Sequence, residues 1–517
     1  MRAILHRRGF IMHPRFGLAS SVLALCLSAP AALAITPDEV WANWQALAAA
    51  QGSTMTAAGT AKVGTSLEVT GLSVTSAPQP EVTATVTSTI DKITFADQGD
   101  GTVKITMSDS YPVEAKFSDA PGQPPVELGL TVQTPGLVMI ASGSPAELVY
   151  DYTAPTLTAT LTSLKLPDGK VADAKAEITA TALAGHYVTS TQAGGGARLQ
   201  SSATLAALAL TGSGTDPSGS GDSLAVSLSL ADLKSQSDMT FVDPALMQDL
   251  AAALKAGFAV TSTASTGAIS LTVDATSPQG PAHVATSFTG AGFDLALGPQ
   301  SVAYGFSLLG AAFDATVPEA PIPVKFGWGE FGLHFGLPIE AGPDPKDASA
   351  VVRLVDVTMD ETLWSMFDPG QQLKRDPVTL ILDLAGKLSW NVDILQPGAL
   401  DSSPEPANFY ALDLKQVLAK AVGTEITATG GLTFDNSDKV TFGGIPAPSG
   451  KITVTAKGIN ALIDTLVAMG LVPEDQVMGA RMMLAMFAKP GAGPDELVSE
   501  LECKDKAFLV NGQALPF

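Results

Sequence analysis

The chain has 517 residues, with 51 acidic and 29 basic side chains and a formal net charge of −22 at pH 7. An acidic surface repels nucleic acid and anionic lipid headgroups, so neither is expected as an electrostatic partner. Charged residues make up only 15% of the chain, against about 25% in an ordinary globular protein, which favours strand-rich structure with many small residues.

The first 34 residues have the layout of a secretory signal peptide. Between Arg2 and Arg15 they carry four arginines and no acid, and a mostly apolar run, Phe16–Leu27, follows. Ala32–Ala34 is a small-x-small cleavage site, so we expect cleavage at its end and Ile35 as the mature N-terminus. The mature protein is then expected in the periplasm of a Gram-negative cell envelope.

Two features of this segment leave alternatives open. Arg7–Ile11 resembles a twin-arginine export motif, but a second basic stretch separates it from the apolar run, and Met12 is an equally good start. Cys26 follows Leu25 where a lipoprotein requires a small residue, so no lipid anchor is expected. Cys503 would remain as the single cysteine, which excludes an intrachain disulfide.

Along the mature chain, alternating strands outnumber helices. Thr36–Glu39 is a capping box that predicts a helix ending at Gly52. Glu81–Ile90 alternates apolar residues with threonine, and Asp97–Gly101 is a good hairpin turn. Period-two alternation predicts further strands in six stretches: 155–165, 176–184, 224–230, 268–274, 424–434 and 451–455.

The remaining helices are predicted mainly near the C-terminus. One follows Asp243-Pro244 and stops at Gly257, and four others are expected at Asp360–Phe367, Leu412–Ala421, Ile459–Met469 and Glu474–Phe487. The fold class is therefore β-rich α+β: an extended, curved antiparallel sheet with a few short helices, mostly in the C-terminal third. Gly342–Pro345 divides a β-rich region, 35–343, from an α+β region, 344–517. After residue 34 no apolar run approaches the ~20 residues of a membrane helix.

One strand has two unlike faces. Between Val324 and Leu337, bulky apolar residues alternate with Gly, and a one-residue slip midway predicts a bulge. Bare glycine allows close approach by another backbone or by a ligand, so the strand either binds a hydrophobic ligand or packs tightly inside a sheet. Its apolar residues are Phe326, Trp328, Phe331, Leu333, Phe335 and Leu337.

Five methionines cluster near the C-terminus. Methionine at helical spacing adapts to irregular partners and also fills gaps in a core, and core filling is the interpretation that we adopt. The residues are Met469, Met478, Met482, Met483 and Met486.

Catalytic motifs are missing from the sequence. No nucleophile elbow, phosphate-binding loop, dinucleotide fingerprint or zinc-protease helix occurs. His186, His283 and His334 lie far apart, without metal-ligand spacing to each other or to Cys503. We therefore expect no enzyme activity, no cofactor and no metal site.

Several long motifs resemble the exported proteins of the domain of unknown function 2125 family. They are Asp360–Leu380, Gly458–Pro473 and Val510–Gln513, and the Thr36–Gly52 helix and the Gly99–Val103 hairpin fit the family as well. The family implies no activity and no catalytic residues. The strand-rich layout is also similar to the AsmA-like envelope proteins, and this likeness implies an elongated sheet with an apolar groove for lipid.

Two hypotheses follow. The protein is either a binding module whose apolar sheet face holds lipid or another hydrophobic ligand, or a structural partner of other envelope proteins without a small-molecule ligand. A continuous apolar groove lined by strands would favour the first, and a filled core would favour the second.

Overall fold

The computed structural model describes residues 35–50, 53–76, 83–118, 123–192, 196–216, 219–243, 245–318, 320 and 322–515. The predicted signal segment, 1–34, lies outside these residues. In the part of the chain that is described, no helix is both long and apolar enough to span a bilayer.

Antiparallel strands make up most of the described chain. The strands of the first half are β1 Thr54–Val63, β2 Ser66–Thr75, β3 Thr83–Asp97, β4 Val103–Met107, β5 Ser110–Ser118, β6 Val126–Gln133, β7 Val138–Ser144, β8 Glu147–Lys165, β9 Ala174–Thr191, β10 Ala197–Thr215, β11 Ser223–Phe241, β12 Ala259–Thr266 and β13 Ile269–Ser277. Those of the second half are β14 Gly280–Phe288, β15 Gly290–Leu297, β16 Ser301–Thr316, β17 Val324–Pro338, β18 Lys346–Met359, β19 Val378–Trp390, β20 Ala407–Ala421, β21 Thr424–Asp435, β22 Ala447–Lys457, β23 Lys489–Pro490, β24 Glu496–Lys504, β25 Ala507–Val510 and β26 Gln513–Leu515.

Helices are short and connect strands. They are α1 Pro37–Ala50, a 3₁₀ turn Leu246–Gln248, α2 Leu250–Lys255, α3 Glu361–Phe367, α4 Ala399–Ser402, α5 Ile459–Ala468 and α6 Glu474–Phe487. The predicted helices at 360–367, 459–469 and 474–487 are therefore confirmed. The helix expected to start at Asp243-Pro244 is split into the 3₁₀ turn and α2, and Pro244 itself is outside the described residues.

The predicted helix at Leu412–Ala421 is wrong, because these residues belong to β20. The register between β20 and β21 slips between Leu414 and Val417. This slip brings apolar residues three positions apart onto one face, which imitates the i, i+3 spacing of a helix.

The topology is an up-and-down meander in a single sheet. Most successive strands pair antiparallel. Where two short strands follow one another, both pair with the same long strand, as β4 and β5 do with β3 and as β12 and β13 do with β11. β17 and β18 pair directly, so the sheet continues across the predicted division at 343/344. The division into two regions and the curvature of the sheet stay predictions.

A line of irregularities, which we call the crease, crosses the sheet from β2 to β18. Along it Gly71, Ala182, Asp232, Gly310 and Asp356 adopt φ values of +57°, +53°, +52°, +55° and +54°. Ladder pairs flank each site, as Leu205 and Ala207 of β10 pair with Leu183 and Thr181 of β9. At each site one residue of the strand and the residue opposite it are left out of the ladder, so the pairing register is unchanged. Beyond the site, the side chains alternate between the two faces in the opposite phase.

α1 covers one end of the sheet. Thr36 and Glu39 form the predicted capping box, with Glu39 Oε2 accepting from the Thr36 N–H at 2.8 Å and the Glu39 N–H donating to Thr36 Oγ1 at 3.3 Å. The helix lays Val40, Trp41 and Trp44 on the apolar face of β2–β9 and forms a buried cluster there. The Trp44 ring meets that of Phe95 edge-on, with centroids 5.1 Å apart.

α2 covers a second area farther along the same face. Asp249 caps the helix by accepting from the N–H groups of Ala251 and Ala252. Ala253 and Leu254 are buried with Phe258 and Val260, and β15, β16 and Ile339 complete the cluster. Two clusters of buried residues thus lie on one side of the sheet, each covered by a helix.

Candidate functional site

All six apolar residues that the sequence singled out in β17 lie on one face. Phe326 and Trp328 pair with Phe313 and Ala311 of β16, and beyond the crease Phe331, Leu333, Phe335 and Leu337 pair with Leu308, Phe306, Tyr304 and Val302. The predicted bulge is present, because Gly329 opposes Gly310 at the crease. The slip therefore keeps both halves of the strand apolar on the same side.

None of these six side chains is fully buried. Phe335 and Leu337 are 40% and 39% exposed, and the other four are half-buried. The ring centroids of Phe326 and Phe313 are 4.7 Å apart, so the row packs against its neighbours within the sheet. Binding of a ligand to these six residues stays a prediction.

The glycines of β17 lie on the opposite face and have two different roles. A Cβ on Gly327 would lie 2.4 Å from the carbonyl oxygen of Ala311, so close backbone approach requires glycine there. Gly332 lines a shallow depression of about 370 Å³ together with Asp294, His334 and Arg353. The bare side of the strand therefore lies beside charged side chains.

The two faces of β17 continue across the sheet. Register pairs link each apolar row to the next, for example Ile178 with Leu210, Leu210 with Leu228, and Leu228 with Leu271. The same face extends to the C-terminal strands, where Leu382 pairs with Val352 and with Val417. In these strands one side of the meander is thus apolar.

On one side of the crease, within the part of the chain that the structure describes, neither α1 nor α2 covers this apolar face over eight strands. We call this surface the open face. It comprises the apolar-side residues of β8–β11, β13, β14, β16 and β17 within segments 156–165, 174–181, 207–215, 223–231, 269–277, 280–288, 311–316 and 324–328. No residue of the open face belongs to the α1 or the α2 cluster.

The open face contains no charged residue. Its central rows are Leu224, Val226, Leu228 and Leu230 on β11 and Ile269, Leu271, Val273 and Ala275 on β13. Leu224 is 49% exposed, and Ile178 on β9 is 41% exposed. Eight strands at about 4.8 Å spacing and seven residues at about 3.3 Å rise give a surface of about 34 by 20 Å. Monomers rarely expose a contiguous apolar patch this large.

The opposite face carries the charges. Cross-strand ion pairs lie there, including Lys325–Asp314 at 2.7 Å and Arg353–Glu330 at 2.7 Å. A second shallow depression of about 440 Å³, lined by Gln200, Asp238 and Thr263, also lies on this face. Both depressions are open to solvent and include charged side chains, among them Asp238, Asp294 and Arg353, which disfavour an apolar ligand.

Each of the three histidines lies on a strand beside an aspartate. The Nδ1 atoms of His186 and His283 are 2.7 Å from Asp151 and Asp274, and that of His334 is 3.6 Å from Asp294. The sequence did not indicate these pairs, because the aspartates come from neighbouring strands. Across the described ranges, no group of three or more His, Cys, Asp or Glu side chains is placed to hold a metal ion. The expected lack of a metal site stays a prediction.

Cys503 lies in β24 and is buried. Burial raises the pKa of its thiol, so the fraction of reactive thiolate at neutral pH is reduced.

The α3 loop contains a buried carboxylate that the sequence did not single out. Burial alone would raise the pKa of Asp368, but the N–H groups of Gln372 and Leu373 and the Arg375 guanidinium outweigh it, and the pKa lies below its usual value. Arg375 also bonds Glu361 and lies over the Trp364 ring at 4.6 Å. This network fixes the connection between β18 and β19.

These residues fall within a recognised family region. Residues 305–505 match the family described as "Uncharacterized protein conserved in bacteria (DUF2125)". The match covers the latter part of the chain, and the resemblance to this family is confirmed there. The match includes the predicted motifs Asp360–Leu380 and Gly458–Pro473, whereas Thr36–Gly52, Gly99–Val103 and Val510–Gln513 lie outside it. Neither the curated proteins nor the solved structures include a match to the chain.

The open face was predicted only in part. Alternation in the sequence marks its strands, and apolar rows at 224–230 and 268–274 were predicted as strand faces. The positions of α1 and α2 decide which rows are covered, and these long-range contacts leave no local pattern in the sequence.

Proposed function

We propose that this is a non-enzymatic protein of the periplasm, exported by a cleaved signal peptide, that holds the acyl chains of lipids on the open face. The single observation that carries the proposal is the charge-free, uncovered surface of about 34 by 20 Å. Removing apolar surface from water contributes about 25 cal/mol per Å², so an acyl chain laid along these rows would gain several kcal/mol.

The proposal places the ligand differently from the site predicted in the sequence. Of the six residues that the sequence singled out in β17, only Phe326 and Trp328 belong to the open face, and the other four lie across the crease. A ligand on the open face is therefore expected to contact mainly the leucine and valine rows of β10, β11 and β13. Headgroups would lie at the edge of the surface, where strands end and water is present.

The test uses a matched pair of variants on β11. Leu228 lies on the open face, and its neighbour Ser229 lies on the charged face, where its Oγ is 2.7 Å from that of Ser270. Leu228→Asp places a carboxylate among apolar side chains, so we expect binding of a fluorescent long-chain fatty acid to weaken at least about tenfold. Ser229→Asp is expected to leave binding unchanged.

Equal binding by both variants would contradict the proposal, provided that circular dichroism shows the wild-type fold for each. Absence of probe binding by the wild-type protein would contradict it as well.

A second function is supported by the two areas of the apolar face that α1 and α2 cover. α1 and α2 show that protein elements can cover this same face. A purely structural envelope protein would use the open face to bind another protein, without any lipid. That function predicts no acyl probe binding and no co-purifying lipid in extracts of the periplasm, which mass spectrometry would measure.

A further inference from the structure

The bond that a signal peptidase is expected to cut lies directly beside the folded core. On its carboxyl side, Ile35 is 2% exposed and belongs to the α1 cluster. Thr36 then opens the capping box, and α1 begins at Pro37, which is buried. The expected cleavage site is therefore followed at once by folded structure.

Four hydrogen bonds hold this junction in the first turn of α1. The N–H and the hydroxyl of Thr36 both donate to Glu39 Oε2 at 2.8 Å. The Glu39 N–H donates to Thr36 Oγ1 at 3.3 Å, and the Val40 N–H donates to the Thr36 carbonyl at 3.1 Å. The backbone from Thr36 onward is thus fixed in a helix start, whereas proteases cut exposed chain that is free to extend.

Freeing the junction requires undocking of α1, because the helix that follows is packed into the core. Val40 and Trp44 are 0% and 3% exposed, and the Tyr150 hydroxyl donates to Asn43 Oδ1 at 2.8 Å in a buried pair. The cluster under α1 reaches as far along the chain as Tyr187 in β9. The junction is therefore buried once α1 and β2–β9 have folded together, and it is accessible before that.

We propose, resting on the proposed export by a cleaved signal peptide, that the Ala34–Ile35 bond is cut before folding and that the chain crosses the inner membrane as an extended polypeptide. Hydrolysis consumes one water. The signal segment leaves with a carboxylate at Ala34, and Ile35 becomes the new α-amine. Ile35 then enters the core as α1 docks on β2–β9.

This order of events distinguishes the two export routes that the sequence leaves open. A twin-arginine signal directs a protein that has folded before export. In such a protein α1 would already be docked at the peptidase, and the bond would be cut only during local opening. Threading of an unfolded chain presents the same bond in extended form. Arg7 and Arg8 then act as ordinary positive charges of the signal segment.

The first test compares one precursor in two states. The full-length chain from Met1 is purified in detergent micelles, and one sample stays folded while another is freshly diluted from urea. Signal peptidase is added to both, and mass spectrometry measures the initial rate at which a chain starting at Ile35 appears. We expect the folded sample to be cut at least about tenfold more slowly, because its site waits for local opening.

A matched pair of insertions separates access to the bond from the sequence around it. About eight Gly and Ser residues inserted between Ile35 and Thr36 leave that sequence intact and move the bond away from the capping box. This variant should be cut at the same rate whether folded or freshly diluted. The same insertion after Asp100, in an exposed hairpin turn, leaves the junction in place and should keep the tenfold difference.

A matched pair of substitutions in α1 tests the docking of the helix. Trp44→Ala removes a large buried side chain, so we expect the folded precursor to be cut at least about threefold faster than wild type. Gln45→Ala changes an exposed position of the same helix and should leave the rate unchanged. Circular dichroism checks that both variants keep the wild-type sheet.

Export in cells tests the route itself. Changing Arg7→Lys together with Arg8→Lys keeps the positive charge and removes the twin-arginine pair. We expect the amount of processed protein in the periplasm to be unchanged, because threading requires positive charge rather than arginine. Immunoblotting of periplasmic fractions measures it.

Three outcomes would overturn the proposal. They are equal cleavage of folded and freshly diluted wild type, a folded insertion variant after Ile35 that stays resistant, and loss of export when Arg7 and Arg8 become Lys. A freshly diluted precursor that is not cut would overturn the proposal together with the expected signal peptide. Acyl binding on the open face is tested separately by Leu228→Asp and Ser229→Asp, so its failure would leave the order of cleavage and folding unaffected.

Discussion

At the scale of single residues, burial distinguishes leucines that look alike in the sequence. Leu72 and Leu228 both occupy alternating positions in strands with polar neighbours. Leu72 is 1% exposed in the α1 cluster, whereas Leu228 is half-buried on the open face. Their surroundings differ because α1 covers Leu72, whereas neither α1 nor α2 covers Leu228.

This difference predicts unequal costs of truncation in lipid-free protein. Leu72→Ala removes a fully packed side chain and is expected to lower the free energy of unfolding by about 3 kcal/mol. Leu228→Ala removes a side chain that solvent already reaches, so about 1 kcal/mol or less is expected. Urea unfolding of both variants measures the two values. Losses of the same size would mean that the open face is packed in solution.

The cross-strand ion pairs contribute little at this scale. Lys325–Asp314 and Lys387–Asp347 have exposed side chains, and such pairs are worth about 0–1 kcal/mol each. Their effect is to keep one face of the sheet hydrated. The ion pairs therefore distinguish the charged side of each strand from the apolar side, and they contribute little to the stability of the sheet.

At the scale of elements, the crease is the feature that the sequence indicated least completely. The slip in β17 was predicted from Trp328 and Phe331. Leu205 and Leu208, and Leu230 and Leu233, show the same three-residue spacing in β10 and β11. Each spacing alone fits a local bulge or a helix, as the wrong helix at 412–421 illustrates. Only the pairing register between neighbouring strands shows that these slips form one line across the sheet.

Strain at the crease gives a second prediction. Ala182 holds φ at +53°, which costs an L-residue about 1–2 kcal/mol, and Gly adopts this conformation freely. Gly also costs about 0.4–1 kcal/mol in unfolded-chain entropy, so Ala182→Gly should raise the free energy of unfolding by about 0.5 kcal/mol.

The matched control for that variant lies two residues away on the same strand. Ala180 is in regular β9 and pairs with Leu208, so Ala180→Gly should lower the free energy of unfolding by about 0.5–1 kcal/mol. Thermal unfolding of both variants measures whether each substitution raises or lowers the free energy of unfolding. A loss in both would argue against strain at the crease.

The helices show where local signals suffice. The capping box at Thr36–Glu39 and the spacing in 459–469 and 474–487 predicted α1, α5 and α6, because caps and helical periodicity are local. The prediction that the methionines of α6 fill a core is wrong, because all four are between 62% and 71% exposed. A methionine stripe has the same pattern whether it faces a core or solvent. Contacts far apart in sequence decide between the two.

At the scale of the whole molecule, one side of the meander is apolar and the other carries charge. Among the described residues, α1 and α2 cover parts of the apolar side, and neither covers the open face between the crease and the strand ends. A chain with 15% charged residues can sustain such asymmetry because small polar residues, mainly Thr and Ser, fill the other side. The open face is therefore the surface on which we expect a ligand or a partner protein to bind.

The measurement that tests this account most directly is photo-cross-linking with a long-chain fatty acid that carries a diazirine near the end of its tail. Mass spectrometry of the labelled protein locates the attached residues. We expect label on open-face rows such as Leu208–Leu210, Leu224–Leu230 and Ile269–Ala275. Label confined to the charged face or to α6, or no label that excess unlabelled fatty acid displaces, would contradict the assignment of the open face as the lipid site.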